Sequence, residues 1–175
     1  MKHRDDPEPE TSDSQMDRIG IRDRAKASIG TEPVGTSCRV VLVLPDEIET
    51  FWPKVEGQLA RCTPHSEGEL EPKDFKAFLT EAEMQLWLAV NDGKLLASMV
   101  TQVVTYPRKR VLRIIAIGGG EMERWLTFLP GLEEWAMEQG CSALECWGRK
   151  GWLKILNDWK CSYHVLTKDL KSRMH

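Results

Sequence analysis

Three consecutive glycines, Gly118, Gly119 and Gly120, stand between a β-branched apolar run and a segment with helical periodicity. A strand that runs into glycines and then into a helix leaves backbone N–H groups unpaired and pointing in one direction. Such a turn can bind a phosphate or pyrophosphate without specialised side chains, because the N–H groups and the helix N-terminus favour an anion. The alternative is a tight strand-to-helix connection that binds nothing.

Three side chains downstream of the glycines could also do chemistry. Glu145 lies in a predicted strand, where a carboxylate could take a proton from an amine, although strand carboxylates are mostly solvated or ion-paired. Arg149, in Trp147-Gly148-Arg149, could bind a carboxylate or phosphate, or could be a surface arginine beside a packing tryptophan. Cys146 has no adjacent base and is expected to be buried.

The elements that position these residues are predicted from periodicity and turn signals. Strands are predicted at 39–44, 85–90, 94–106, 110–117, 141–146 and 163–170, and helices at 47–61, 71–79, 121–139 and 151–159. Asn91-Asp92-Gly93 predicts a hairpin turn. Pro130 either kinks the third helix or marks where its regular part begins.

Composition predicts one folded domain, at residues 37–175, preceded by a flexible charged tail at residues 1–36. The tail carries many charges and prolines, and Phe51 is the first aromatic residue of the chain. A net charge of −3 gives no support for nucleic-acid binding, and no apolar run reaches the ~18 residues of a membrane span. The five scattered cysteines and the histidine spacing predict reduced thiols, no metal site and a cytoplasmic location.

The order of elements, β–α–α–β–β–β–α–β–α–β, resembles that of the GNAT superfamily (Gcn5-related N-acyltransferases) over about residues 38–170. Three motifs are similar to those of GNAT-like proteins encoded by tailed bacteriophages: Gly118 to Trp125, Trp147-Gly148-Arg149, and Gly151-Trp152 to Leu156. The resemblance implies an α+β fold with a mixed, mostly antiparallel central sheet and helices on both faces.

The resemblance also implies an acyl-CoA site and assigns residues to it. The strand residues Ile115, Ala116 and Ile117 would pair with the pantetheine arm, and the turn from Gly118 to Met122 would bind the pyrophosphate. A β-branched residue at Gly119 is then expected to abolish acetyl-CoA binding and leave the fold largely intact.

The catalytic assignments that the resemblance implies are Glu145 as general base and a tyrosine as general acid. The position of the family's tyrosine aligns near Lys154, and Tyr163 is the nearest tyrosine. Arg149 is the candidate for a CoA phosphate.

Two functions remain open at this point. One is an N-acyltransferase that uses acetyl-CoA or another acyl-CoA on a small-molecule or protein amine. The other is a non-catalytic GNAT-fold bacteriophage protein, in the host cytoplasm or the virion, whose tail binds a phage or host protein. The glycines and Glu145 favour the first, whereas Glu121, Glu123 and the lack of a tyrosine at Lys154 favour the second.

Overall fold

The computed structural model describes residues 28–29, 38–65, 68–120, 126, 129–147, 150–162 and 165–168. Six strands form one sheet in which the spatial order of the strands follows the chain. They are β1 (Ser28–Ile29), β2 (Cys38–Val43), β3 (Gln85–Asn91), β4 (Lys94–Tyr106), β5 (Lys109–Gly119) and β6 (Ala143–Cys146). All neighbouring pairs are antiparallel except β5 and β6, which are parallel.

Helices cover both faces of the sheet. Helices α1 (Ile48–Leu59) and α2 (Pro72–Thr80) pack on one face, and α3 (Leu129–Glu138) packs on the other. Strand β3 is buried on both sides, with Leu86 and Leu88 facing α1 and α2 and Trp87 facing α3. This mixed, mostly antiparallel sheet between two helical layers confirms the predicted α+β architecture.

The antiparallel strands β3, β4 and β5 follow the prediction closely. Asp92 and Gly93 adopt φ values of +47° and +74° between β3 and β4. Two consecutive residues at positive φ form the hairpin turn that the Asn-Asp-Gly sequence predicts. Strand β5, however, continues through Gly119, two residues beyond its predicted end at Ile117.

Pro130 lies in the first turn of α3, which begins at Leu129. A proline is tolerated there because the N–H that it lacks has no partner within the first helical turn. The structure therefore confirms the second of the two alternatives for Pro130: this proline marks where the regular helix begins.

The ends of the chain depart from the predictions. Ser28 and Ile29 lie in the predicted tail, yet they pair with Val41 and Val40 of β2. The predicted helix at 151–159 is a short 3-10 helix, Lys150–Lys154. The predicted strand at 163–170 is wrong over residues 165–168, which have no regular structure. Val165 and Leu166 are exposed, so strand propensity has no packed surface on which to act.

A buried polar chain ties β3 to β4. Trp87 Nε1 donates to Thr101 Oγ1 at 2.8 Å, and Thr101 Oγ1 donates to Gln85 Oε1 at 3.1 Å. Trp87 and Thr101 are both almost fully buried, so neither partner can be replaced by water without rearrangement. The side chain of Trp87 also meets Trp135 of α3 edge to face, with ring centroids 4.9 Å apart.

Thr101→Val is expected to lower the free energy of unfolding by about 1–3 kcal/mol, because it leaves the buried Trp87 N–H without an acceptor at nearly unchanged volume. Urea denaturation measures the change. Thr105→Val is the matched control, since Thr105 is exposed on the same strand and its replacement should stay within about 0.5 kcal/mol of the parent. Equal stability of the two variants would contradict the prediction.

Candidate functional site

Strand β5 carries a bulge at the residues predicted to bind pantetheine. Val100 pairs with Ala116 and Thr101 pairs with Ile114, so Ile115 is the extra residue. As a result, Ile115 and Ala116 both pack toward the core beneath α1 and α2. Ile117 packs against the opposite core, beside α3.

Strands β5 and β6 separate at the bulge. Their parallel pairing extends from Val111–Ala143 to Ile114–Cys146, where β6 ends. Residues 115–119 of β5 continue past that point, and no strand in the described ranges pairs with them on the β6 side. This open strand edge can form backbone hydrogen bonds with an extended ligand.

The peptide group of Ile117 points toward the open edge. Gly120 N donates a hydrogen bond to Leu96 O of β4 at 3.1 Å. Because the backbone polar groups of every second residue in a strand point to the same side, those of Gly118 also point toward β4. Ile117 therefore faces away from β4, and its carbonyl oxygen accepts a hydrogen bond from Cys62 Sγ at 3.0 Å. Burial raises the pKa of the Cys62 thiol, and the nearby Arg61 opposes that rise.

Packing explains two of the three glycines. A Cβ on Gly118 would lie 2.4 Å from the backbone oxygen of Gln58 in α1. Gly119 has φ +124°, and a Cβ there would lie 2.4 Å from the backbone oxygen of Leu96 in β4. A Cβ on Gly120 would meet no atom within 4 Å. Gly118 and Gly119 are thus needed for close packing of α1 and β4 on β5.

The predicted phosphate turn is only partly visible. The Gly120 N–H is already bonded to Leu96, and residues 121–125, which include Glu121 and Met122, lie outside the described ranges. Pyrophosphate binding by this turn therefore stays a prediction.

Glu145 belongs to a cluster of four side chains, called the Arg113 cluster below: Tyr106, Arg113, Glu145 and Trp147. Arg113 Nε and Nη2 each lie 2.9 Å from Glu145 Oε1, and the two side chains are each 14% exposed. Trp147 Nε1 donates to the same oxygen at 2.8 Å, and Arg113 Nη2 donates to Tyr106 Oη at 2.7 Å. The Arg113 guanidinium carbon also lies 4.1 Å from the centre of the Trp147 ring.

Strand alternation places this cluster on the α1 and α2 face. Leu144 and Cys146 pack against the core beside α3, so Glu145 points the other way, as the sequence predicts. The role of Glu145 as a base stays a prediction. Its ion pair with Arg113 is the alternative that the sequence left open.

Comparison with solved structures identifies the fold. A ribosomal-protein-alanine N-acetyltransferase from Brucella melitensis biovar Abortus 2308 superposes with a TM-score of 0.58 at 12% identity, over 77% of this chain and 100% of that one. An aminoglycoside acetyltransferase from an uncultured soil metagenomic sample gives 0.58 at 10% identity, over 77% and 98%. A GCN5-related N-acetyltransferase from Ralstonia eutropha JMP134 gives 0.54 at 13% identity, over 77% and 99%. This is the GNAT acetyltransferase fold.

No protein-family model matches the sequence, and neither does any curated protein. The backbone therefore shows the GNAT fold, although the three structures above share 10–13% sequence identity with this chain. In the described ranges, no helix has the length and apolar character needed to cross a bilayer.

Two predicted site residues of the GNAT fold, Tyr163 and Arg149, lie outside the described residues. Among the residues that the structure describes, no three His, Cys, Asp or Glu side chains come together as metal ligands. Sequence reasoning missed Cys62 and Arg113. The contact of Cys62 with Ile117 spans 55 positions, and no local pattern signals it.

Cys146 is packed against the core beside α3, and burial raises the pKa of its thiol from 9.0 to about 11. The unfolded chain loses this proton at a lower pH than the folded chain, so stability is unaffected below about pH 9 and falls as the pH rises toward 11. Between pH 8 and 11, the parent should lose about 2 kcal/mol more than Cys146→Ala in free energy of unfolding. Urea denaturation at both pH values measures this difference, and equal losses would contradict it.

Proposed function

We propose that the protein transfers an acyl group from acetyl-CoA or another acyl-CoA to an amine. The observation that carries this proposal is the open edge of β5 at residues 115–119, which begins where β6 ends in a GNAT fold. The names of two similar proteins give alanine of a ribosomal protein and aminoglycosides as acceptors, and both are amines. An amine, in a small molecule or a protein, is therefore the acceptor class that we propose.

The residues of the open edge suit an acyl-CoA arm. Pantetheine is an extended chain with amide groups, which hydrogen-bond a strand edge as a further strand does. The Ile117 carbonyl already accepts a hydrogen bond on this side, from the Cys62 thiol. Because a thiol is a weak donor, an amide N–H can replace it at that carbonyl.

An acyl-CoA bound here would supply a thioester. The nitrogen of the acceptor amine would form a bond to the thioester carbonyl carbon, and the carbon–sulfur bond would break. Backbone N–H groups along residues 115–117 would hold the developing oxyanion, since peptide groups at the open edge are fixed before the ligand arrives. Glu145 is the proposed acceptor of the amine proton, and Tyr163 is the proposed donor to the departing thiolate. Arg149 is the proposed partner of a CoA phosphate.

Calorimetric titration with acetyl-CoA tests the proposal, and we expect saturable binding by the parent at millimolar concentration or below. Gly120→Val should weaken acetyl-CoA binding at least about tenfold at an unchanged melting temperature, because a Cβ there meets no described atom within 4 Å, and the side chain narrows the approach to the turn. Acetyl-pantetheine, which lacks the pyrophosphate, should bind the parent and this variant equally.

Gly57→Val provides the matched control, since Gly57 is exposed in α1 and a Cβ there also meets no atom within 4 Å. It should bind acetyl-CoA as the parent does. A parent that fails to bind millimolar acetyl-CoA would contradict the proposed function and favour a binding protein. Equal acetyl-CoA affinity of Gly120→Val and the parent would remove the turn from the site.

The association with bacteriophage and the partner-binding role of residues 1–36 stay predictions from the sequence. The three structures named above come from bacteria or from a soil sample. They support acyl transfer rather than an assembly role.

A further inference from the structure

We propose that the Arg113 cluster is a positioning device that fixes the point at which β5 and β6 separate. Its consequence for acyl-CoA binding rests on the function proposed above. The cluster lies directly before the open edge. Arg113 is opposite Glu145, and the next pair, Ile114 and Cys146, is the last one described between β5 and β6.

The backbone alone holds β6 weakly. Among the residues that the structure describes, four residue pairs join β5 to β6, and the pairing is parallel. Such a short parallel ladder adds little stability, so side-chain pairs across it decide where it ends. Arg113 and Glu145 form the cross-strand pair nearest the gap on the α1 and α2 face.

The contacts of the cluster reach three strands and the residue after β6. Glu145 Oε1 receives Arg113 from β5 and Trp147 from the position that follows β6. Tyr106, near the end of β4, accepts a hydrogen bond from the same guanidinium. The carboxylate therefore anchors the end of β6 to β5, and the guanidinium anchors β5 to β4.

The contacts of Glu145 hold the pair in one orientation. One carboxylate oxygen accepts hydrogen bonds from Arg113 Nε and Trp147 Nε1, and Arg113 Nη2 lies 2.9 Å from the same oxygen. The side chains of Arg113 and Glu145 are each 14% exposed, so separating them would leave two poorly solvated charges. A fixed pair sets the width of the gap that an acyl-CoA arm must enter.

The test compares four variants of the full chain with the parent. Arg113→Met and Glu145→Gln each break the pair, and Arg113→Met/Glu145→Leu replaces it with two packed apolar side chains. Leu79→Ala, in the buried face of α2, lowers stability without touching the cluster. Amide hydrogen exchange of fragments that cover residues 111–114 and 143–146 is measured first, and acetyl-CoA affinity is measured second.

We expect both single variants to exchange these amides at least about tenfold faster than Leu79→Ala and to bind acetyl-CoA about 10- to 100-fold more weakly than the parent. The double apolar variant should return exchange and acetyl-CoA affinity to within about threefold of the parent, because packing keeps the strands together. That double variant also keeps the test decisive where a single variant does not fold.

Two outcomes would overturn the inference. One is exchange in the single variants no faster than in Leu79→Ala. The other is a double apolar variant that exchanges these amides as fast, and binds acetyl-CoA as weakly, as the single variants do. Absence of acetyl-CoA binding by the parent, with the expected exchange pattern, would remove the proposed function and support the positioning role.

Discussion

Gly119→Val is expected to lower the free energy of unfolding by about 4 kcal/mol or more, or to prevent folding altogether. Gly119 has φ +124°, which a β-branched residue adopts only with strain. A Cβ at this position would also lie 2.4 Å from Leu96 O and 2.6 Å from Ala97 Cα. Both are backbone atoms of β4, which is paired with β3 on its other side and cannot retreat cheaply.

The result would correct the expectation from the sequence that this variant loses its ligand in an intact fold. Gly120→Val is the control on the adjacent residue, and thermal melting should place it within about 2 °C of the parent. Gly119→Val with a parent-like melting temperature would mean that β4 and β5 shift apart at little cost, and the glycine would again be a ligand-binding residue.

Arg113→Met is expected to cost about 3–5 kcal/mol at neutral pH, because it leaves the Glu145 carboxylate buried without its counter-charge. Methionine replaces the aliphatic stem of arginine, so the change removes charge and hydrogen bonds more than volume. Urea denaturation at pH 7 measures the loss.

Lys76→Met breaks a different ion pair and provides the control. Lys76 Nζ lies 2.9 Å from Glu49 Oε1, but the two side chains are 35% and 73% exposed. Its cost should be below about 1 kcal/mol, because water screens the pair and solvates the remaining charge. Similar costs for the two variants would show that Glu145 is solvated, and the positioning role would lose its basis.

Local signals account for what the sequence predicts correctly. Three features depend on neighbours within a few positions, and all three appear in the structure. They are the turn at Asn91-Asp92-Gly93, the apolar spacing of α1 and the alternation around Glu145. The likeness to GNAT proteins depends on element order, which survives where identity does not. These features are sufficient to predict the fold class from the sequence.

The candidate site needed information that a single sequence lacks. Gly118 touches Gln58, and Cys62 bonds Ile117, across distances in sequence that periodicity does not span. The pairing of Arg113 with Glu145 depends on the parallel register of β5 and β6, which the α3 crossover sets. The predicted last strand was wrong over residues 165–168 because apolar content alone cannot supply a partner edge.

The order of strands in the sheet has a consequence for how the chain folds. Strands β3, β4 and β5 are joined by short turns, so their contacts are close in sequence and can form early at a small loop-closure cost. Strand β6 can dock only after the α3 crossover has closed a much longer loop. We therefore expect strands β3, β4 and β5 to form the folding nucleus and the docking of β6 to be a late event. The gap between β5 and β6 would then take shape late, when β6 docks beside a strand that β4 already holds.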